Sequence, residues 1–530
     1  MSTFHGLEMA KQALFTQQMG LYTTGHNISN VNTAGYSRQR VNFETLSPYP
    51  SASRNSPVMP GQIGQGVKAG TVQRIRDSFY DHQYRTQNSQ TSYWQTRTDA
   101  LGRMEGLMNE ADGTDGFNKT LMDFFKSLEG LSTNPENIGA RQAAIQQGVT
   151  VAGTFNHTAN SLENVRKDLQ TQIGKNDGTT GKLGDANSLL RQINALNKQI
   201  GEVEPHGYLP NDLYDQRDRL IDELSSIVKI NVDYVSSGDS SLKIADGIAV
   251  IKLADEKGKD TGITLLEAED RKLSDSELGQ FKVEFADDSK QNAVSKINFV
   301  KQGTEKDIGI TNIEGSLKGL VEAYGYLDGD DVLGDIPSTI AKLDKLAENF
   351  AKAFNKIHGS GIGFDGITTG LDFFTSGKDN TNGKITAGNM TVNKELRDHP
   401  EKLAVSTDKT AGNGDNAKAL AGIIKKSLTG ADVDSNEPPF GEGVSVLGYF
   451  QQIISKMAVD TQEARSNVAN YGVLQQQIQN DRLSVSAVSL DEEMTNLLKF
   501  QHAYNASARS LTAMDELLDK IINSMGLVGR

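Results

Sequence analysis

The chain contains no cysteine. Disulfides, a thiol nucleophile and cysteine-ligated metal are therefore excluded. Proline is scarce as well, with 11 in 530 residues, and Pro48, Pro50, Pro57 and Pro60 are crowded into the stretch 47–66. Positive charge is outnumbered: 54 Lys and Arg stand against 68 Asp and Glu, a net charge of −14. With no basic patch interleaved with aromatics, that balance argues against nucleic acid as a partner. Apolar runs are short, and none approaches the roughly 18 residues of a membrane span. Residues 1–30 also lack the basic and continuously apolar regions of a cleaved secretory signal, so no membrane insertion is expected. The 8 histidines are scattered without metal-ligand spacing, which leaves zinc and histidine catalysis unsupported. Gly361, Gly363 and Gly366 match G-x-G-x-x-G but follow a helical pattern and precede none, the reverse of a dinucleotide site. Asp328, Asp330, Asp331 and Asp335 lack the spacing of a calcium loop. No catalytic residue, cofactor or metal site is expected, and the chain reads as a non-enzyme.

What the chain does have is an apolar residue every seven positions at both ends. Leu7, Leu14, Leu21 and Ile28 form one row; Leu490, Leu497, Tyr504, Leu511, Leu518 and Met525 form the other. An unbroken seven-residue row is the seam of a helix packed along a partner in a shallow left-handed supercoil. Around the first helix, Phe4, Leu7, Ala10, Leu14, Phe15, Leu21, Tyr22 and Ile28 share a sector of roughly 140°, interrupted by Lys11 and Gln18. Ser489 and Glu492 have the spacing of a capping box that starts the last helix. An ordinary pair of amphipathic bundle helices would give the same pattern, but the magnitudes favour assembly. Burying the six C-terminal seam residues gives about 9–18 kcal/mol gross. Ordering roughly 35–40 residues costs about 1–2 kcal/mol each in backbone entropy. The termini are therefore expected to be mobile in a free monomer and to fold on meeting other copies of the chain.

Between the ends, periodicity divides the chain. Residues 77–228 carry apolar positions at threes and fours, as in Phe155, Ala159, Leu162, Val165, Leu169 and Ile173. The segment Asn211 to Leu220 is dense in Asp and Arg and reads by default as a solvated ion-pair face. Alternation then takes over in Val228, Ile230, Val232 and Tyr234 and in Phe281, Val283 and Phe285, with Ile244, Ile248, Val250 and Leu253 in further β-prone segments. Helical spacing returns from Leu317. Residues 47–66 read as an extended linker, and 359–440, rich in Gly, Asp and Asn, match no pattern. The expected fold is mainly α with an inserted β-rich domain. Terminal coiled-coil helices (1–60 with 484–530) form an assembly domain, a split helical-bundle body spans 61–228 with 313–483, and 229–312 form an outer β domain.

Two segments carry a resemblance. Asn27-Ile28-Ser29-Asn30-Val31-Asn32-Thr33-Ala34-Gly35-Tyr36, followed by Arg38, is similar to the N-terminal signature of the bacterial flagellar axial proteins (rod, hook and hook-associated). Ala34 stands where related sequences often carry proline. Glu493 to Arg509, with Gln501, Tyr504 and Arg509, resembles the C-terminal signature. Gly35 to Gln39, Asn211 to Leu220 and the length resemble the hook-associated members. That resemblance implies a secreted structural subunit, exported by the flagellar type III route without a cleaved signal peptide. It also implies a self-assembled ring at the hook–filament junction of the extracellular flagellum, serving motility. The implied partners are hook protein, a second junction protein, the filament cap protein and an export chaperone at the C-terminal helix. Another axial subunit (hook or distal rod), or a secreted adhesin or effector displaying the β insert, are the alternatives.

Overall fold

The computed structural model describes residues 4–50, 61–108, 116–287, 290–364, 366, 370–377, 383–410 and 412–524. Helix α1 (His5–Ser29) leads through a turn into a hairpin of β1 (Gln39–Thr45) and β2 (Val67–Arg74). Helices α2 (Ser78–Met108), α3 (Phe117–Thr133), α4 (Ile138–Ile173), α5 (Gly181–Val203) and α6 (Asn211–Ile227) follow. An antiparallel meander comes next, of β3 (Ile230–Val235), β4 (Ile248–Ala254) and β5 (Asp260–Leu266). Strands β6 (Gln280–Phe285), β7 (Val294–Lys301) and β8 (Thr304–Asp307) begin a second sheet. Beyond α7 (Ser316–Tyr324), β9 (Tyr326–Asp328) and β10 (Asp331–Leu333) complete that sheet, with β9 parallel to β7. Then come α8 (Asp335–Ser360), the short pair β11 (Phe374–Ser376) and β12 (Met390–Val392), α9 (Lys394–Asp398) and α10 (Asp415–Ile423). Two long helices close the chain, α11 (Val446–Ser486) and α12 (Leu490–Asp519).

The helical body forms where periodicity predicts it. Val151, Phe155, Leu162, Leu169 and Ile173 are buried along α4, which packs on α3, α7 and α8. Burial of such a stripe, more than intrinsic propensity, holds a helix of this length. Helix α11 runs beside α2, and α12 beside α1. The β region is built onto this body: Phe281 and Ile297 belong to the same buried cluster as Leu101, Phe155 and Phe450.

Several local expectations change. Of the proline-rich stretch 47–66, residues 51–60 lie outside the described residues; its two ends, leaving β1 and entering β2, are bridged between Tyr49 and Ile63. Only Val41 of these strands is fully buried and the rest are half-buried or exposed, so they show no sustained apolar alternation. The second sheet recruits β9 and β10 from beyond residue 312, and Ile244 lies exposed outside the strands. Residues of 359–440 contribute buried apolar groups to the body. Phe373 and Phe374 lie 4.7 Å apart between ring centroids and pack with Phe354. Among the described residues no helix is long and apolar enough to cross a membrane.

Candidate assembly interface

The two terminal helices pair antiparallel. A side chain at Gly6 would meet Met514, one at Gly20 would meet the ring of Phe500, and Asn27 donates to Glu493. Moving forward along α1 thus moves backward along α12. On α12 the contact residues Glu493, Phe500 and Met514 alternate with Leu497, Tyr504, Leu511 and Leu518, the three-and-four spacing of a supercoil seam. Of these predicted seam residues Leu518 is buried and Leu497, Tyr504 and Leu511 are half-buried. Leu490 is 47% exposed, and Met525 lies outside the described residues. On α1, Leu7, Leu14, Leu21 and Ile28 are each half-buried. The most enclosed positions are instead small or polar: Ala10, Thr16, Gly20, Thr23, Thr24 and Asn27. An added Cβ at position 20 would lie 3.0 Å from the Phe500 ring, so the ring would have to give by a few tenths of an ångström.

The N-terminal signature residues build the turn where α1 meets the hairpin. Asn27 is 1% exposed and uses its whole amide. Its Oδ1 accepts from Tyr36 Oη at 2.8 Å and from the Gln39 backbone N–H at 3.0 Å, while its Nδ2 donates to Gln39 O at 2.8 Å and Glu493 Oε2 at 3.0 Å. His26 Nδ1 lies 2.9 Å from the same Tyr36 hydroxyl. Burial and the nearby Asp212, Asp215 and Glu493 carboxylates raise the Tyr36 pKa, which keeps it a neutral donor. Thr33 donates to Asn30 at 3.1 Å, Gly35 takes φ = 80°, and Asn32 is exposed. Arg38 reaches α12, pairing with Glu492 at 2.6 Å and Glu493 at 2.8 Å. The expected capping box is therefore only half made. Ser489 Oγ accepts from Glu492 N at 3.5 Å, but the Glu492 carboxylate serves Arg38.

Directly behind this turn lies a buried ionic cluster, and it overturns the solvated reading of Asn211 to Leu220. Arg217 and Asp218 are 0% exposed, and Asp215 is buried too. Arg74, at the end of β2, pairs with Asp215 at 2.9 Å, with Asp218 at 2.7 Å, and with Asp246 of the β region. Arg76 binds Asp81 through two nitrogens at 2.7 and 3.0 Å. Arg85 of α2 pairs with Asp222 at 2.8 Å, and Arg482 of α11 bridges Asp81 and Asp222 at 2.7 and 2.6 Å. Hairpin, α2, α6, α11 and the β region are fastened at this one place. Burial alone would raise the Asp218 carboxyl; Arg74, Arg76, Arg217 and Arg85 hold it well below the usual carboxylate range. Burial pushes Asp215 upward against the pull of Arg74 and the Ser37 N–H. The sequence did hold a signal. Asp215, Asp218 and Asp222 fall at i, i+3 and i+7 on one helix face, where like charges repel unless cations are brought to them.

The outward side of the helix pair carries exposed apolar residues among polar and charged ones such as Lys499 and Asn505. Phe15, Met19 and Tyr22 on α1 are 41–65% exposed, Met494, Leu498 and Leu517 on α12 are 50–56% exposed, and Ile521, just beyond its end, is 44% exposed. Gln501 and Arg509 of the C-terminal signature also face outward. Apolar side chains spaced along a helix pair with nothing over them mark a surface made to be covered.

Comparison with known proteins places this arrangement. The family described as "Flagellar hook-associated protein FlgK helical domain" matches residues 101–374, and that described as "Flagellar basal body rod FlgEFG protein C-terminal" matches 479–525. Flagellar hook-associated protein 1 of Bacillus subtilis is 40% identical over 100% of both chains. Its Escherichia coli counterpart is 25% identical, over 97% of this chain and 98% of its own. The flagellar hook junction protein FlgK of Burkholderia pseudomallei shares the fold, with a TM-score of 0.57 at 13% identity, over 76% of this chain and 100% of that one. With full-length identity to one such protein and a family match over its helical body, the chain belongs to the flagellar hook-associated protein 1 family.

Proposed function

We propose that the chain is a structural subunit of the bacterial flagellum that builds the hook–filament junction ring through its terminal helices. The observation that carries this is the exposed apolar face of the α1–α12 pair, spanned by Phe15, Met19, Tyr22, Met494 and Leu498. In a ring each copy covers that face of the next, and the seam residues Leu7, Leu14, Leu21, Ile28, Leu497, Tyr504, Leu511 and Leu518 serve contacts within and between copies. Family membership supports a place in the flagellum outside the cell and a structural rather than catalytic role. Hook protein on one side, and a second junction protein and the filament cap on the other, are the partners this position requires. Export without a cleaved signal, aided by a chaperone on the C-terminal helix, suits a chain whose terminal helices pair within one copy but leave an outward face to be covered on assembly. Immunogold electron microscopy with antibody to 229–312 tests the reading. A single spot of label where hook meets filament is expected. Label along the hook or filament would make it another axial subunit, and label over the cell body would favour an adhesin.

A further inference from the structure

The contact between α1 and α12 repeats along its length. Gly6, Ala13, Gly20 and Asn27 recur every seven residues on one helix, as Met514, Ser507, Phe500 and Glu493 do on the other. The structure pairs Gly6 with Met514, Gly20 with Phe500 and Asn27 with Glu493. A seam of period seven resembles itself after a slide of seven residues, and packing then separates the registers only weakly. One such slide carries Phe500 from Gly20 to Ala13, a difference of a single methyl group.

The polar end does not repeat. Glu493 is 2% exposed, and its carboxylate is held by Asn27 Nδ2 at 3.0 Å and by Arg38 Nε at 2.8 Å. After the same slide Glu493 would face Gly20, which has no side chain to offer it. Asn27 would lose a partner for an amide whose every donor and acceptor is now used. A buried polar contact of this kind selects one register among several that apolar packing tolerates. We infer that Asn27, Arg38 and Glu493 form a register pin that fixes α12 on α1. They are positioning residues. Because Arg38 also donates its backbone N–H to Ser486 O, at 2.9 Å, the pin ties that register to the end of α11.

The cysteine-free chain makes the test direct. In the purified full-length protein, three cysteine pairs are introduced separately. Ala13→Cys with Ser507→Cys reports the observed register. Gly6→Cys with Ser507→Cys, and Ala13→Cys with Met514→Cys, report slides in the two directions. Mild oxidation and a non-reducing gel read intrachain closure. In the parent background the first pair is expected to close about tenfold faster than the others or more. With Glu493→Leu the three rates should converge to within about twofold. Glu493→Gln, which still accepts from Asn27, should keep the preference. Equal rates in the parent would overturn the inference by showing no fixed register. So would a preference undiminished by Glu493→Leu, because Phe500 packing would then suffice. Loss of all closure in that variant would overturn it too, since the contact would then be needed for pairing itself.

Discussion

Asp218 and His358 are both buried, yet they respond oppositely to their surroundings. Asp218 sits among Arg74, Arg76, Arg85 and Arg217 and stays ionised. Removing it strands cations that have little access to water, and breaking a buried pair from one side is strongly destabilising. Asp218→Ala is expected to cost about 3–5 kcal/mol in urea unfolding of the full chain, whereas a solvated face would lose about 1 kcal/mol or less. Among the described residues His358 is held by backbone groups rather than by a carboxylate. Its Nε2 accepts from the Ala404 N–H at 3.1 Å, so Nδ1 is the nitrogen that donates to Leu371 O at 2.7 Å. Burial lowers its pKa from 6.5 to about 4. The folded chain thus binds this proton less readily than the unfolded one. The contribution is flat above pH 6.5, and about 3 kcal/mol of stability is lost as pH falls from there to 4. Urea midpoints across that window should show the fall in the parent chain and a shallower one in His358→Gln.

At the scale of elements, the terminal pair and the body are joined but differently made. The body is held by a continuous apolar core, the pair by a thin seam of half-buried residues. A charge placed in that seam should therefore act locally. Leu511→Asp is expected to abolish assembly into flagella, scored by electron microscopy, while the thermal melt of the body is unchanged. Normal assembly of that variant would refute a role for this row. The helices themselves were legible in the sequence from their rows of apolar residues at period seven, although an ordinary bundle helix can carry such a row too. Their partners were not. Glycine and asparagine at the centre of an interface look like breaks in a pattern, and only the Phe500 ring over Gly20 gives them meaning. The β1–β2 hairpin escaped notice for the same kind of reason, since Val41 is its one fully buried strand residue and the rest are half-buried or exposed. The long helices α4, α5 and α8 were plain because each places an apolar stripe against one core. The ionic cluster was visible as composition but read with the wrong environment: a helix segment does not reveal which arginines other elements bring to it.

For the whole molecule, the β region is the informative case. Phe281 and Ile297 lie in the common core, and β7 pairs with β9 across residue 312. Deleting 229–312 is expected to yield insoluble or unfolded protein, tested by solubility and circular dichroism, rather than a trimmed subunit. A smaller excision at an exposed loop tip, such as Lys257 to Lys259, should leave the fold intact. The architecture also places the first and last helices side by side, with Gly6 against Met514 at the tip remote from the turn. Over the stretch from Gly6 to Asn27 that tip stands roughly 30 Å from Glu493. Neither end can be completed without the other. The last turns of α12 are thus the ones that cover the first turn of α1, and without them the start of the chain has no surface to pack on.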